Sequence, residues 1–84
     1  MSRVQSPKEI TLLVRSGCHL CSAAKKTVDE VTNRLGLTWE SVDIDHDPGL
    51  LAQHSDEVPV LLVDGKVRDF WVIDPERLET LLTS

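Results

Sequence analysis

The sequence predicts an α/β domain built on a mixed sheet, and three observations lead there. A short apolar run, Ile10 to Arg15 ("ITLLVR"), is followed at once by a long stretch of helical periodicity. A second strand-like run follows that helix, so the first two strands are joined by a helical crossover and should be parallel. Near the C-terminus, "VPVLLVDGKVRDFWVI" folds back on itself around Asp64-Gly65, which forces the last two strands antiparallel.

The first run is nearly continuous in apolar residues, as expected of a strand covered on both faces. Gly17 ends it. From Leu20 the apolar residues Leu20, Ala24, Val28, Val31 and Leu35 recur every three or four positions, which is one face of a helix. Lys25 with Asp29 and Lys26 with Glu30 are spaced to pair on the other face, and Gly36 supplies the stop. "TWESVDID" (Thr38 to Asp45) carries several charges among strand formers, which suits an edge strand. "DPGLLAQHS" reads as a short helix opened by Asp47 and Pro48. After the hairpin, Asp74 as N-cap, Pro75 in the first turn, and Leu78, Leu81 and Leu82 on one side make a last helix. The order is β-α-β-α-β-β-α, with no repeat or linker, so residues 1–84 form a single domain whose first eight residues are expected to be flexible.

The 84 residues are 40% hydrophobic and 27% charged, an ordinary composition for a domain that folds alone. A chain this short buries only about 60% of its unfolded surface, which places chemistry near the exterior. Nine basic against fourteen acidic residues give a net charge of −5, and no basic stripe stands out, so a nucleic-acid partner is not expected. No run is long and apolar enough to span a membrane, and Met1 to Pro7 lacks the apolar centre of a signal peptide. A cytoplasmic monomer with no membrane partner is the expectation.

Cys18 and Cys21 are the only cysteines, three apart where strand gives way to helix. In a reducing compartment such a pair points to redox chemistry or metal binding rather than a structural staple. At a helix start, unpaired backbone N–H groups and the helix dipole favour negative charge, and a thiol there titrates at roughly 3.5 to 7.5 instead of about 8.5. Residues three apart on a helix lie about 5 to 6 Å from each other, near enough to close a disulfide. Cys18, the more exposed, is assigned as nucleophile, and Cys21, turned towards Ala24 and Val28, as the resolving thiol. Two other readings stay open: both cysteines packing a helix start, or a metal or cluster site completed by His19, His46 and His54 or by a second chain. His19 either tunes the neighbouring thiolate or is simply solvated. The alternating Asp43, Asp45 and Asp47 do not make a calcium loop, because Pro48 and His54 stand where glycine and glutamate are needed. They read as a solvated strand end and a helix cap.

"RSGCHLC" after a strand, "EVPVLLVDG" at the hairpin and the element order itself make the sequence resemble the glutaredoxin-like proteins of the thioredoxin-fold superfamily. More closely, the short chain with C-x-L-C and "VDIDHDPGL" resembles a family of small bacterial glutaredoxin-like proteins. That resemblance implies a four-stranded mixed sheet flanked by helices and a thiol-disulfide oxidoreductase acting on protein or glutathione mixed disulfides. It also implies a cis Val58-Pro59 bond beside the cysteines, with Val58 and Pro59 contacting the substrate and Arg15 meeting a glutathione carboxylate. Glutathione would be a co-substrate rather than a tightly bound cofactor, with the reductant unidentified and no metal. The sequence departs from the family at His19 and Leu20, where proline and an aromatic are usual, and in "RDFWVID", which lacks the usual Gly-Gly. Trp71 in that segment could narrow the cleft or offer a stacking surface, and is expected to be core on the last strand. A thioredoxin-fold binding module without turnover is the alternative.

Overall fold

The computed structural model of the protein describes residues 9–54 and 56–83; the N-terminal segment expected to be flexible lies outside them. Strand β1 (Ile10–Val14) is followed by helix α1 (His19–Leu35) and strand β2 (Glu40–Asp43). A 3₁₀ turn (Ile44–His46) leads into helix α2 (Pro48–His54). Strands β3 (Val60–Val63) and β4 (Lys66–Phe70) form the hairpin, and helix α3 (Pro75–Thr83) closes the chain.

The sheet order is β2-β1-β3-β4, with β2 parallel to β1 and the other pairs antiparallel. β1 is therefore central, which explains its unbroken apolar run. Its alternate residues serve two cores. Ile10, Leu12 and Val14 join Leu61 and Val63 beneath α1 and α3, whereas Leu13 and Val60 pack with Ile44 and the partly buried Leu50 and Leu51 on the α2 side. Both edges of the sheet are partly polar: neither β2 nor β4 has a fully buried residue, and both carry charged side chains, which discourages pairing with other chains.

The second strand is shorter than its sequence suggests. Ile44 and Asp45 leave the ladder because the Asp43 carboxylate accepts the Asp45 N–H at 2.9 Å and starts the 3₁₀ turn. Asp64 and Gly65 both have positive φ, 55° and 82°, the backbone of a two-residue hairpin turn whose twist matches its strands. A register shift between Leu61 and Leu62 leaves Arg68 as an extra residue in β4. Asp74 caps α3 by accepting the N–H of Glu76 at 2.9 Å, and Leu78 and Leu82 are buried.

The buried face of α1 is Cys21, Ala24, Val28, Val31 and Thr32. Leu20, expected on this face, is 45% exposed: it sits in the first turn at the edge of the stripe, and Cys21 fills the core position beside it. The Thr32 hydroxyl is buried because it donates back to the Val28 carbonyl at 2.8 Å. Asp29 accepts from the Trp39 indole and the Asn33 amide instead of pairing with Lys25. No described helix is long and apolar enough to cross a membrane.

Candidate active site

All four strands bring functional residues to the same end of the sheet. Asp43 closes β2 opposite Val14 at the end of β1; Pro59 precedes β3; and Trp71 follows β4, its N–H donating to the Pro59 carbonyl at 2.9 Å. The chain leaves β1 through Arg15, Ser16 and Gly17, and enters α1 at Cys18. Gly17 has φ +73°, a conformation that lets the chain turn from strand to helix within the four residues between β1 and α1.

Cys18 is the N-cap of α1. Its backbone is extended, its carbonyl accepts the N–H of Ser22, and its sulfur accepts the N–H of Cys21 at 3.1 Å. Sulfur thus takes the capping position that Ser, Thr, Asp or Asn usually fills, and the dipole of a 17-residue helix converges on it. Cys18 is half-buried, and Cys21 lies below it, 3% exposed. Both thiols are free. Burial pushes the Cys21 thiol up from 9.0 to about 11, helped by its hydrogen bond to the Cys18 sulfur and by the charge on that sulfur; a backbone hydrogen bond from Arg15 and the Lys25 charge oppose the rise.

A groove of about 310 Å³ opens over the pair, lined by the 15–19 segment and by Cys21, Ser22 and Lys25. Its charged and titratable walls are Arg15, His19 and Lys25, with no carboxylate among the lining residues. In a chain of net charge −5 this is a locally basic mouth. His19 stands exposed at the first position of α1.

The structure therefore gathers Arg15, Cys18, His19 and Cys21 around one groove. Val58 and Pro59 do not line it but lie at the same sheet end, where Val58 and Cys18 pack against a common core. The Val58-Pro59 peptide bond is cis. His46 and His54 do not complete a metal site with the cysteines. His54 pairs with Glu57 at 3.1 Å, and no group of three or more His, Cys, Asp or Glu side chains among the described residues could hold an ion.

Sequence reasoning missed the acidic residues that hold the loop before Cys18. Asp45 accepts from the Arg15 Nε at 2.8 Å and from the Ser16 N–H at 3.3 Å, while Asp43 accepts the Ser16 hydroxyl at 3.4 Å. Arg15 holds the Asp45 carboxyl below its usual range. Only Asp47 is the helix cap expected, accepting from Gly49 and Leu50. The signal was the parallel pairing itself, which sets the end of β2 beside the residues that leave β1. Trp71, expected in the core, is 52% exposed. Its φ of +64° turns it off the strand, and its indole N–H donates to the Asp56 carbonyl at 3.0 Å.

The family described as Glutaredoxin-like domain (DUF836) matches residues 9–83. This chain belongs to that family. The glutaredoxin-like domain is also 33% identical over 78 residues to an uncharacterized protein of Mycobacterium tuberculosis, covering 87% of this chain and 80% of the relative. An X-ray structure of a structural-genomics target from X. campestris is 32% identical over 87% of this chain and 93% of its own, with a TM-score of 0.73. Two more distant structures share the fold: protein Ne2328 of Nitrosomonas europaea (24% identical, 99% of this chain and 100% of that one, TM-score 0.81) and a thioredoxin variant from Halobacterium salinarum (20% identical, 89% and 71%, TM-score 0.67). The glutaredoxin-like domain thus has a thioredoxin fold, with Cys18 and Cys21 placed together at the start of its first helix.

Proposed function

We propose that the protein is a thiol-disulfide oxidoreductase that reduces disulfides through Cys18 and Cys21. The observation that carries this reading is the Cys18 sulfur at the cap of α1, accepting the Cys21 N–H at the mouth of an open groove. Negative charge on that sulfur is favoured by the helix end, and its exposure leaves it free to attack.

The Cys18 thiolate attacks one sulfur of a substrate disulfide, forming a mixed disulfide and releasing the first substrate thiolate. Cys21 then loses its proton to solvent and attacks the Cys18 sulfur. That step expels the second substrate thiolate and leaves a Cys18–Cys21 disulfide, so two electrons have passed from the protein to the substrate. Cys21 stays protonated in the resting dithiol partly because of the Cys18 charge and hydrogen bond. Once Cys18 is consumed in the mixed disulfide its charge is gone, so Cys21 becomes easier to ionise when it is needed.

The basic wall of Arg15, His19 and Lys25 supports an anionic thiol such as glutathione as co-substrate and reductant. The Val58 segment, which leads through Pro59 into β3 at the site end of the sheet, supports an extended polypeptide as the disulfide-bearing partner. Pre-reduced wild type, Cys18→Ser and Cys21→Ser, each mixed with a glutathionylated peptide and followed by intact mass, test the reading. Wild type should release the peptide thiol, Cys18→Ser should be inert, and Cys21→Ser should accumulate a covalent adduct on Cys18. Exchange by Cys18→Ser at the wild-type rate refutes the assignment.

A further inference from the structure

Exposed apolar side chains gather at the site end of the sheet. Leu20 lies between the two cysteines, and Phe70, Trp71 and Val72 lie where β4 ends; all four are 43 to 69% exposed. Exposed apolar residues scattered singly need no explanation, but a concentration beside a reactive group does.

Trp71 is the member of this set whose conformation is imposed. Its φ of +64° belongs to the left-handed region, which a bulky L residue occupies only under strain. Two hydrogen bonds hold it there: its N–H donates to the Pro59 carbonyl at 2.9 Å, and its indole N–H donates to the Asp56 carbonyl at 3.0 Å. Phe70 supports the indole edge-on, with ring centroids 4.9 Å apart. The backbone is thus held against its preference, and the ring it carries is half-exposed rather than buried. Core packing does not account for that arrangement.

The position of the ring supplies a reason. β4 lies two strands from β1, about 10 Å across the sheet, and its end is level with the end of β1 that delivers Cys18. The indole is pinned to the 56–59 segment that leads into β3, and β3 and β4 lie on the opposite side of β1 from β2, the strand that leads to Asp45. A polypeptide whose disulfide is presented to Cys18, and which lies across this end of the sheet towards β4, brings a neighbouring residue to the ring.

We infer that Trp71 is a specificity-determining residue, an apolar ledge that selects polypeptide disulfides flanked by an apolar side chain. The inference rests on the oxidoreductase reading above and names the substrate class for it. A single well-placed apolar contact discriminates by about tenfold or more in rate. Trp71 acts on the substrate's neighbouring residue and takes no part in the exchange itself.

The test is single-turnover exchange between the pre-reduced protein and two disulfide-linked peptide dimers, identical except for Leu or Ser next to the cysteine. The protein's own dithiol supplies both electrons. Wild type should favour the Leu peptide by about tenfold, and Trp71→Gly should bring the ratio close to one. Glycine tolerates a positive φ, so that variant should keep its fold, which thermal denaturation checks. Trp71→Phe, which retains a ring without the bond to Asp56, should keep part of the preference. The rate of Cys18 alkylation should be the same in all three, because a purely structural loss at the site would change it. Equal wild-type rates with the two peptides, or a preference undiminished in Trp71→Gly and Trp71→Phe, overturns the role of Trp71 and leaves the oxidoreductase reading standing. Exchange with neither peptide overturns both.

Discussion

Replacing Cys18 by serine should make Cys21 more acidic, by an amount the structure bounds. In the dithiol the Cys21 thiol is raised from 9.0 to about 11, and the first cause is burial, since the sulfur's residue is only 3% exposed. The next raising cause is its hydrogen bond to the Cys18 sulfur, and the charge there adds a smaller push. At about 11, roughly one Cys21 in ten thousand is ionised at pH 7. Cys18→Ser removes both contributions from the thiolate and leaves burial in place. Cys21 should therefore titrate between 9 and 11, read from the NMR shift of its labelled β-carbon with pH. The same group makes a stability prediction whose sign is fixed. Because the folded value lies above the unfolded one, its contribution is intact below about pH 9 and is lost as pH rises through about 11. A Cys21 midpoint still at 11 in Cys18→Ser would show that the two sulfurs are uncoupled, and one below 9 would show that burial is not the leading cause.

Other substitutions separate structure from chemistry. Asp45→Asn should lower the melting temperature at neutral pH and lose that effect in acid: the depressed Asp45 value stabilises the fold above 3.8 and ceases to as pH falls through the folded value, which thermal melts across pH would trace. Gly17 and Gly36 both have φ of +73° with nothing within 4 Å of an added Cβ, so alanine at either should cost about 1 kcal/mol in denaturant unfolding. Only Gly17→Ala should also slow exchange, because Gly17 leads directly into Cys18, the proposed nucleophile, and Gly36 merely ends α1. Leu61→Ala, at a fully buried site, should cost about 2 to 5 kcal/mol, lowering the melting temperature by at least about 8 °C.

The fold was legible because its signals are local or periodic. The unbroken β1 run, the Asp64-Gly65 turn, the Asp74-Pro75 helix start and Gly36 each state their conformation within a few residues. The cysteine pair was legible for the same reason, since a C-x-x-C at a strand-to-helix junction needs no tertiary information. What escaped depends on contacts across the sheet. Asp43 and Asp45 read as solvated until the parallel pairing of β2 with β1 sets them against Ser16 and Arg15. Trp71 read as core because a tryptophan in an apolar strand usually is. Its positive φ follows from the Pro59 and Asp56 carbonyls, which lie 12 and 15 residues back in the chain. Leu20 failed for a subtler reason: a helical stripe identifies a face, but in the first turn that face extends past the sheet it would cover.

The sheet order also separates two kinds of surface on either side of Cys18. On the β2 side, Asp45 holds Arg15, which lines the groove together with His19 and Lys25 of α1. On the β4 side, Trp71 and its neighbours are apolar. Cys18 lies between, carried by β1. A negatively charged thiol compound approaching from the first side must share Arg15 with Asp45, whereas an apolar polypeptide approaching from the second meets a surface already fixed by its own hydrogen bonds. Under the proposed function, preorganisation therefore favours the polypeptide side, because no existing ion pair has to be broken there. Removing the Asp45 carboxylate should free Arg15 and improve exchange with anionic disulfides while leaving the Leu-to-Ser peptide ratio unchanged, and Trp71→Gly should do the reverse. If either substitution moved both readouts together, the two sides of the groove would be one site rather than two.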